Sequence, residues 1–168
     1  MSARLSRDWR TFVQPQSRSG RRDARRGSPD RGHRAARRGR AGALLAGLIA
    51  GNEPFLGPFD FRRLAVLARS AGHLEGGLIG ETARGFLTIE LFWVAPARRR
   101  AGLGARLLAA AEQEALSRGC HAAWLDTYDF QARPFYERRG YRVFGELAGF
   151  PGGHTRYYMT KRLGQSSA

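Results

Sequence analysis

From residue 64 onward the chain switches between two hydrophobic periods, and their order predicts the fold. Residues 64–68 form a short apolar run, and a turn at 70–72 separates it from 74–81, a second strand with Gly76 and Gly77 inside it. After a turn at 82–85, residues 86–94 give the strongest strand signal of the sequence. Two-residue alternation places Phe86, Glu90, Phe92 and Val94 on one face and Leu87, Ile89, Leu91 and Trp93 on the other. A strand apolar on both faces reads as a central one, covered on both sides. Tight turns join these three segments into an antiparallel meander. The period then lengthens. Leu103, Leu107, Leu108, Ala111, Ala115 and Leu116 recur at helical spacing opposite Arg106, Glu112, Gln113 and Ser117, which predicts an amphipathic helix over 103–118 that Gly119 ends. Residues 121–126 read as a short strand, so the strand–helix–strand run requires a right-handed crossover and a parallel pair. A short helix follows, with Pro134 in its first turn and Gly140 as its cap. Two last strands, 141–147 and 155–163, are joined by the turn residues Pro151-Gly152-Gly153. The pattern predicts an α/β (α+β) fold: a mixed, mostly antiparallel central sheet with helices on both faces.

Upstream the signals weaken. Residues 35–51 predict a helix on which Ala41, Leu44, Leu45 and Leu48 share a side, although Gly42, Gly47 and Gly51 lower its propensity. Asn52, Pro54, Gly57 and Pro58 mark a loop. Residues 1–34 lack any sustained apolar period and are expected to be largely disordered, with a weak strand signal at 9–13. The expected organisation is a tail (1–34), one folded domain (35–164) and a short C-terminal tail (165–168). The longest apolar run, residues 43–50, is too short to span a bilayer, and no apolar segment follows the first charges as it would in a secretory signal. A cytoplasmic chain with no membrane partner is expected.

Charge changes the picture of the tail more than of the domain. Within residues 1–40, 13 arginines against three aspartates account for +10 of the net +15. Two readings of the tail stay open: a basic arm for nucleic acid or another anionic surface, or a dispensable extension. Only Trp9 and Phe12 are available there to stack on bases. Cys120 is the sole cysteine, and His33, His73, His121 and His154 lack ligand spacing, so no disulfide and no metal site are expected.

The segment richest in chemical information runs from Val94 to Ala105, where a buried strand passes through a glycine-containing turn into the amphipathic helix. Glycine lets backbone bend sharply and approach a ligand, and the first N–H groups of a helix are unpaired at its positive dipole end. Such a turn suits phosphate, and Arg98, Arg99 and Arg100 add charge. A Walker-type loop is absent, and Leu107 stands where a dinucleotide fingerprint needs its third glycine.

Arg99-Arg100-Ala101-Gly102-Leu103-Gly104 resembles the R/Q-x-x-G-x-G/A signature of the GNAT N-acetyltransferases. Phe135-Tyr136 followed by Gly140-Tyr141 is similar to that family's F/L-Y-x-x-x-G-F/Y motif, with Ala132 four residues before Tyr136 as in the family pattern. The closing run from Gly153 to Leu163 resembles the last strand of many bacterial members. The resemblance spans about 130 residues and is specific for the superfamily, not for the acceptor.

The resemblance implies acetyl-CoA as cosubstrate and an amine acceptor, small molecule or protein, and leaves a homodimer open. It implies that backbone groups of Phe92, Trp93 and Val94 pair with the pantetheine arm, and that N–H groups of Arg99, Arg100, Ala101, Gly102, Leu103, Gly104 and Ala105 cradle the pyrophosphate. By its motif position Tyr136 is the candidate general acid. Glu90, a carboxylate in an apolar strand, is the candidate base; an ion pair to a nearby arginine, a bulge that turns it to the other side of the sheet, or a water relay in its place are the alternatives. Asp126 and Tyr128, at the end of a parallel strand, are candidates for the acceptor pocket. Asp129 stands where many members carry asparagine and reads as a cap of the following helix. The expected activity is transfer of acetyl to a primary amine by direct attack in a ternary complex, since no activated nucleophile is apparent. A competing reading is a basic nucleic-acid-binding protein with a vestigial GNAT fold, which removal of residues 1–34 would discriminate by its effect on salt-sensitive DNA binding.

Overall fold

The computed structural model describes residues 9–11 and 29–164, which form seven strands and three α-helices. The strands are β1 (Trp9–Thr11), β2 (Arg62–Ser70), β3 (His73–Ala83), β4 (Phe86–Val94), β5 (Ala122–Tyr128), β6 (Arg142–Phe150) and β7 (His154–Arg162). The helices are α1 (Pro29–Leu56), α2 (Leu103–Ser117) and α3 (Arg133–Glu137). One sheet runs β1-β2-β3-β4-β5-β7-β6, and its sole parallel pair is β4–β5, made by the α2 crossover. The predicted mixed, mostly antiparallel sheet is therefore present, with β2 and β3 extending past their apolar runs at both ends and β4 matching its run.

The chain divides into two units. β1 and the residues from Asp60 onward form one; α1 belongs to the other. The helix signal at 35–51 extends in both directions, to Pro29 and to Leu56, and Leu44, Leu45 and Leu48 are exposed. The weak strand signal at 9–13 corresponds to Trp9–Thr11, which pairs antiparallel with Ala68–Val66, whereas α1 starts inside the 1–34 stretch expected to be largely disordered. The rest of that stretch, with the nucleic-acid reading placed on it, and residues 165–168 lie outside the described residues. Among the described residues no helix is long and apolar enough to cross a membrane.

One face of the sheet carries the core. Leu64 and Val66 of β2, Leu78 of β3, Leu87 and Ile89 of β4, Leu125 of β5 and Met159 of β7 pack with Leu107, Leu108, Ala111 and Ala115 of α2. Tyr136 of α3 joins the same cluster, so α2 and α3 share this face. The helix spacing read from the sequence thus marks the buried stripe of α2. Gly119, at φ +83°, ends the helix as expected. The buried Arg118 guanidinium then ties that end to the sheet: it donates to the Glu114 carboxylate at 2.8 Å, to the Arg63 carbonyl at 3.1 Å and to the Thr82 hydroxyl at 3.2 Å.

Strict alternation fails in β4. Ile79 of β3 faces Leu91 and Gly80 faces Ile89, which leaves Glu90 as an extra, bulged residue. The bulge returns Phe92 and Val94 to the core face that Leu87 and Ile89 already occupy, where alternation had separated the two pairs. Leu91 and Trp93 are 63% and 47% exposed, so β4 is not covered on both faces as its composition suggested. Gly80 is required opposite the bulge, because a Cβ there would overlap the Thr88 carbonyl oxygen.

A polar cluster closes the core beneath α2. Glu112 accepts hydrogen bonds from the Tyr141 hydroxyl at 3.0 Å and from the Lys161 ammonium at 2.7 Å. Burial, then the Glu112 carboxylate, push the Tyr141 phenol far above its ordinary pKa. Replacing Glu112 by leucine leaves a half-buried ammonium and a buried hydroxyl unpaired. The expected loss is about 3 kcal/mol, read as a lowered denaturation midpoint; an unchanged midpoint would remove the cluster from the stability account.

Candidate active site

The bulge positions an opening in the sheet. β4 and β5 pair in register only from Phe86↔Ala122 to Ile89↔Leu125. Beyond Ile89 the two strands diverge, and β4 keeps only its β3 partner. The edge of Phe92, Trp93 and Val94 that faces β5 thus offers peptide groups to any strand-like partner laid into the seam. Phe92 points to the core face, with its ring 5.8 Å from Phe135 and 6.3 Å from Tyr136, while Trp93 points to the opposite face.

The chain leaves the seam through a single 3-10 turn, Pro96–Arg98, and then bends twice through left-handed backbone, at Arg100 (φ +62°) and Gly102 (φ +76°). Gly102 is the N-cap of α2, which has no side-chain cap and no acidic residue in its first turn. The N–H groups that open α2, from Leu103 to Ala105, therefore face outward unpaired at the positive end of the helix dipole. Gly104 lets α3 approach: a Cβ there would already touch the Phe135 ring at 3.4 Å. The three arginines divide their work. Arg98 is neutralised by Glu75 at 2.7 Å, and Arg99 donates to the Val94 carbonyl at 3.1 Å, which holds the turn closed. Arg100 makes no ion pair among the described residues and is the one left to meet an anion.

Tyr136 lies on the core side of the seam. It is 6% exposed, and its ring packs against Phe92, Phe135 and Tyr141. Burial, with the Asp126 carboxylate adding to it, pushes its phenol up to about 12. Unlike Tyr141, whose hydroxyl is taken by Glu112, Tyr136 has no hydrogen-bond partner for its hydroxyl among the described residues.

Glu90 lies on the other side of the sheet. Its carboxylate accepts a 2.6 Å hydrogen bond from Arg63, which also faces Glu81 at 3.4 Å. Arg63 and Glu81 are register partners on the face away from α2. Burial, and then the Glu90 carboxylate next to it, raise the pKa of Glu81, with Arg63 opposing. The bulge thus overturns the expected grouping of Glu90 with Phe92 and Val94, and the arginine pair weighed for it is present. Neither partner was legible in the sequence, because register across β2, β3 and β4 brings them together.

Asp126 and Tyr128 also point away from α2, alternating with buried Leu125 and Thr127. Asp126 accepts from Arg156 at 2.6 Å, and the Tyr128 ring stacks 5.3 Å from Phe130. Asp129 does not cap α3, whose N-cap is Ala132 with no side-chain bond. Its carboxylate instead accepts from the N–H groups of Phe130 (2.7 Å) and Thr155 (3.2 Å) and faces the His154 ring at 2.9 Å. Burial alone would raise the Asp129 carboxyl; those N–H groups and His154 hold it below its ordinary value. Gln131 accepts from the Tyr128 N–H at the end of β5 at 2.9 Å, so no side chain caps α3. Among the described residues no three metal-ligating side chains converge.

A parallel seam that opens beside a glycine-capped helix N-terminus defines an enzyme class that binds a phosphate-bearing, strand-like cosubstrate, and comparison with known proteins identifies it. The model of the acetyltransferase (GNAT) family matches residues 54–141. An acetyltransferase of Agrobacterium fabrum is 39% identical over 122 residues, covering 72% of this chain and 89% of the relative. The blasticidin-S acetyltransferase of Streptomyces morookaense is 42% identical over 93 residues, covering 55% of this chain and 68% of the relative. The crystal structure of an acetyltransferase from Agrobacterium tumefaciens superposes with a TM-score of 0.68 at 32% identity, covering 86% of this chain and 100% of that one. The chain belongs to the GNAT family and is an acetyl-CoA-dependent N-acetyltransferase.

Gly102 offers a direct test of the helix-terminus site. Gly102→Glu places a carboxylate and a Cβ where the backbone is left-handed and the phosphate charge must sit. Calorimetry should show acetyl-CoA affinity falling by about 100-fold or more with the fold retained by circular dichroism. Retained affinity would take the pyrophosphate away from this turn.

Proposed function

We propose that the enzyme transfers acetyl to a primary amine by direct attack within a ternary complex, across the seam between β4 and β5. One observation supports this above the others: the seam has Glu90 on one face of the sheet and Tyr136 on the other. An amine approaching from the Glu90 face meets a carboxylate, and a group departing toward α3 meets a phenol. Bound acetyl-CoA supplies a thioester whose C–S bond breaks as the C–N bond to the amine forms. The free edge of Phe92, Trp93 and Val94 holds the pantetheine arm. The N–H groups of the turn from Arg100 to Ala105 hold the pyrophosphate; that of Arg99, also expected to do so, is instead donated to the Pro96 carbonyl at 3.2 Å.

The two candidate groups divide the proton work. Glu90, held by Arg63, takes the proton of the attacking amine, directly or through one water. Tyr136 keeps its proton, because burial holds the phenol near about 12, and its unpartnered hydroxyl donates to the departing sulfur. A phenol this weak is a hydrogen-bond donor first and a full proton donor only late, since a thiol titrates near ~8.5. A covalent acetyl-enzyme has less support. Cys120 is buried at the start of β5, and burial, then Asp60, push its thiol pKa up, away from the reactive thiolate.

The acceptor is a small-molecule amine in this reading, supported by the Streptomyces morookaense relative, whose name gives blasticidin-S as what it acetylates. Asp126 and Tyr128 line its approach on the Glu90 side of the sheet.

Tyr136→Phe should lower kcat by about 100-fold while the acetyl-CoA Kd stays within twofold, measured by thiol release and calorimetry. A full rate in that variant would remove Tyr136 from the chemistry. The sign of the pH dependence follows from the raised phenol. Tyr136 must be protonated to act, so its loss appears only as pH rises toward about 12. The wild-type kcat should therefore show no falling limb from Tyr136 up to about pH 10, the ordinary range of tyrosine. A falling limb near neutrality that Tyr136→Phe abolishes would contradict the assignment.

A further inference from the structure

Beyond the seam, on the face that carries Glu90 and Asp126, β5 ends in a shallow cavity of about 330 Å³ lined by Tyr128, Phe130, Phe150, Pro151 and His154. Its walls are π surfaces. Phe130 stacks on Tyr128 at 5.3 Å with the ring planes 12° apart, Phe150 meets Tyr128 edge-on at 5.1 Å, and His154 meets Phe130 edge-on at 4.6 Å. The polar side chains around the cavity are held by partners of their own. Arg156 binds Asp126 at 2.6 Å, and His154 Nδ1 lies 2.9 Å from the Asp129 carboxylate. Asp129 is itself fixed by the N–H groups of Phe130 and Thr155, so the imidazole is anchored. A cavity walled by rings whose neighbouring polar groups are already engaged selects a flat, polarisable group.

We propose that this cavity is a specificity subsite for a planar aromatic or heteroaromatic ring of the acceptor, remote from the amine that is acetylated. The proposal rests on the acetyl-transfer reading above for the position of that amine. β5 supplies the spacing: Leu125 is its last residue paired with β4, and Tyr128 lies three residues further on. At ~3.3 Å per strand residue the ring sits about 10 Å from the seam. The acceptor is thus an extended molecule, with a ring at one end and a primary amine at the other.

The test uses the full chain and a series of ω-phenylalkylamines of increasing tether, beside cyclohexyl and straight-chain amines of equal length, at saturating acetyl-CoA. The expected result is a kcat/KM maximum where the tether spans about 10 Å, with the phenyl compound favoured about tenfold over its straight-chain counterpart. Phe130 is 62% exposed, so Phe130→Ala is not expected to disturb folding, and it should erase that preference by raising the KM of the phenyl compound about tenfold. Phe150→Ala should act in the same direction. Saturation-transfer NMR with the same amines in the presence of coenzyme A reads the cavity without turnover: phenyl protons should receive saturation in the wild type and lose it in Phe130→Ala. Equal kcat/KM for phenyl and straight-chain amines, or phenyl saturation unchanged by Phe130→Ala, overturns the subsite. Absence of thiol release with every amine while the phenyl saturation behaves as expected would instead count against the acetyl-transfer reading and leave the ring site standing.

Discussion

Everything functional in this chain depends on where the pairing of β4 with β5 stops. Four register pairs join the two strands, and the bulge at Glu90 comes directly after the last of them. A bulge adds one residue to one strand, so it bends that strand and spoils its fit to the neighbour on its far side. Here it turns a continuous sheet into one with an open edge in its interior. Gly80 permits the bulge, since any side chain there would collide with the Thr88 carbonyl. The open edge is the feature that a sheet otherwise avoids, because peptide groups without partners are costly unless something fills the gap. In the proposed reading the cosubstrate fills it, which makes the defect in pairing and the binding site the same structure.

The bulge also explains how one sheet presents different chemistry on its two faces. Phe92 and Tyr136 meet on the α2 side, in an apolar setting that keeps the Tyr136 phenol protonated. Glu90 is turned to the opposite side, into a cluster with Arg63 and Glu81. Without the extra residue, alternation would have put Glu90 among the core side chains, where an isolated carboxylate is costly to ionise. A carboxylate and a protonated phenol thus stand on either side of a gap, separated by the thickness of the strand layer. The helix end that follows is built for anions by what it lacks: no capping side chain, no acid in the first turn, and a glycine in left-handed backbone.

The sequence carried the elements well and the contacts between them poorly. The helical spacing from Leu103 to Leu116 marked the buried stripe of α2, and the glycines before it marked the sharp turn into that helix, because both signals are local. The bulge was not legible, since it is a property of two strands and only appears once Ile79 and Gly80 are set against Leu91 and Ile89. The face of Glu90, its pairing with Arg63 and Glu81, and the exposure of Leu91 and Trp93 all follow from that one register shift. Asp129 misled for a related reason. An aspartate before a short helix is a usual cap, but β7 brings the Thr155 N–H and His154 to it from 26 and 25 residues away, and those contacts win. The aromatic cavity was missed because Phe130 lies in the turn after β5, and only the sheet order sets it beside Phe150 at the end of β6 and His154 at the start of β7.

Amide hydrogen exchange of the full chain with and without acetyl-CoA tests the open seam most directly. Residues 91–94 and 102–105 should exchange markedly more slowly when acetyl-CoA is present, because their free N–H groups gain partners. Residues 86–89, already paired on both sides, should not change. Protection at 102–105 alone would keep the phosphate site and contradict the seam. No protection in either stretch at saturating acetyl-CoA would contradict the account as a whole.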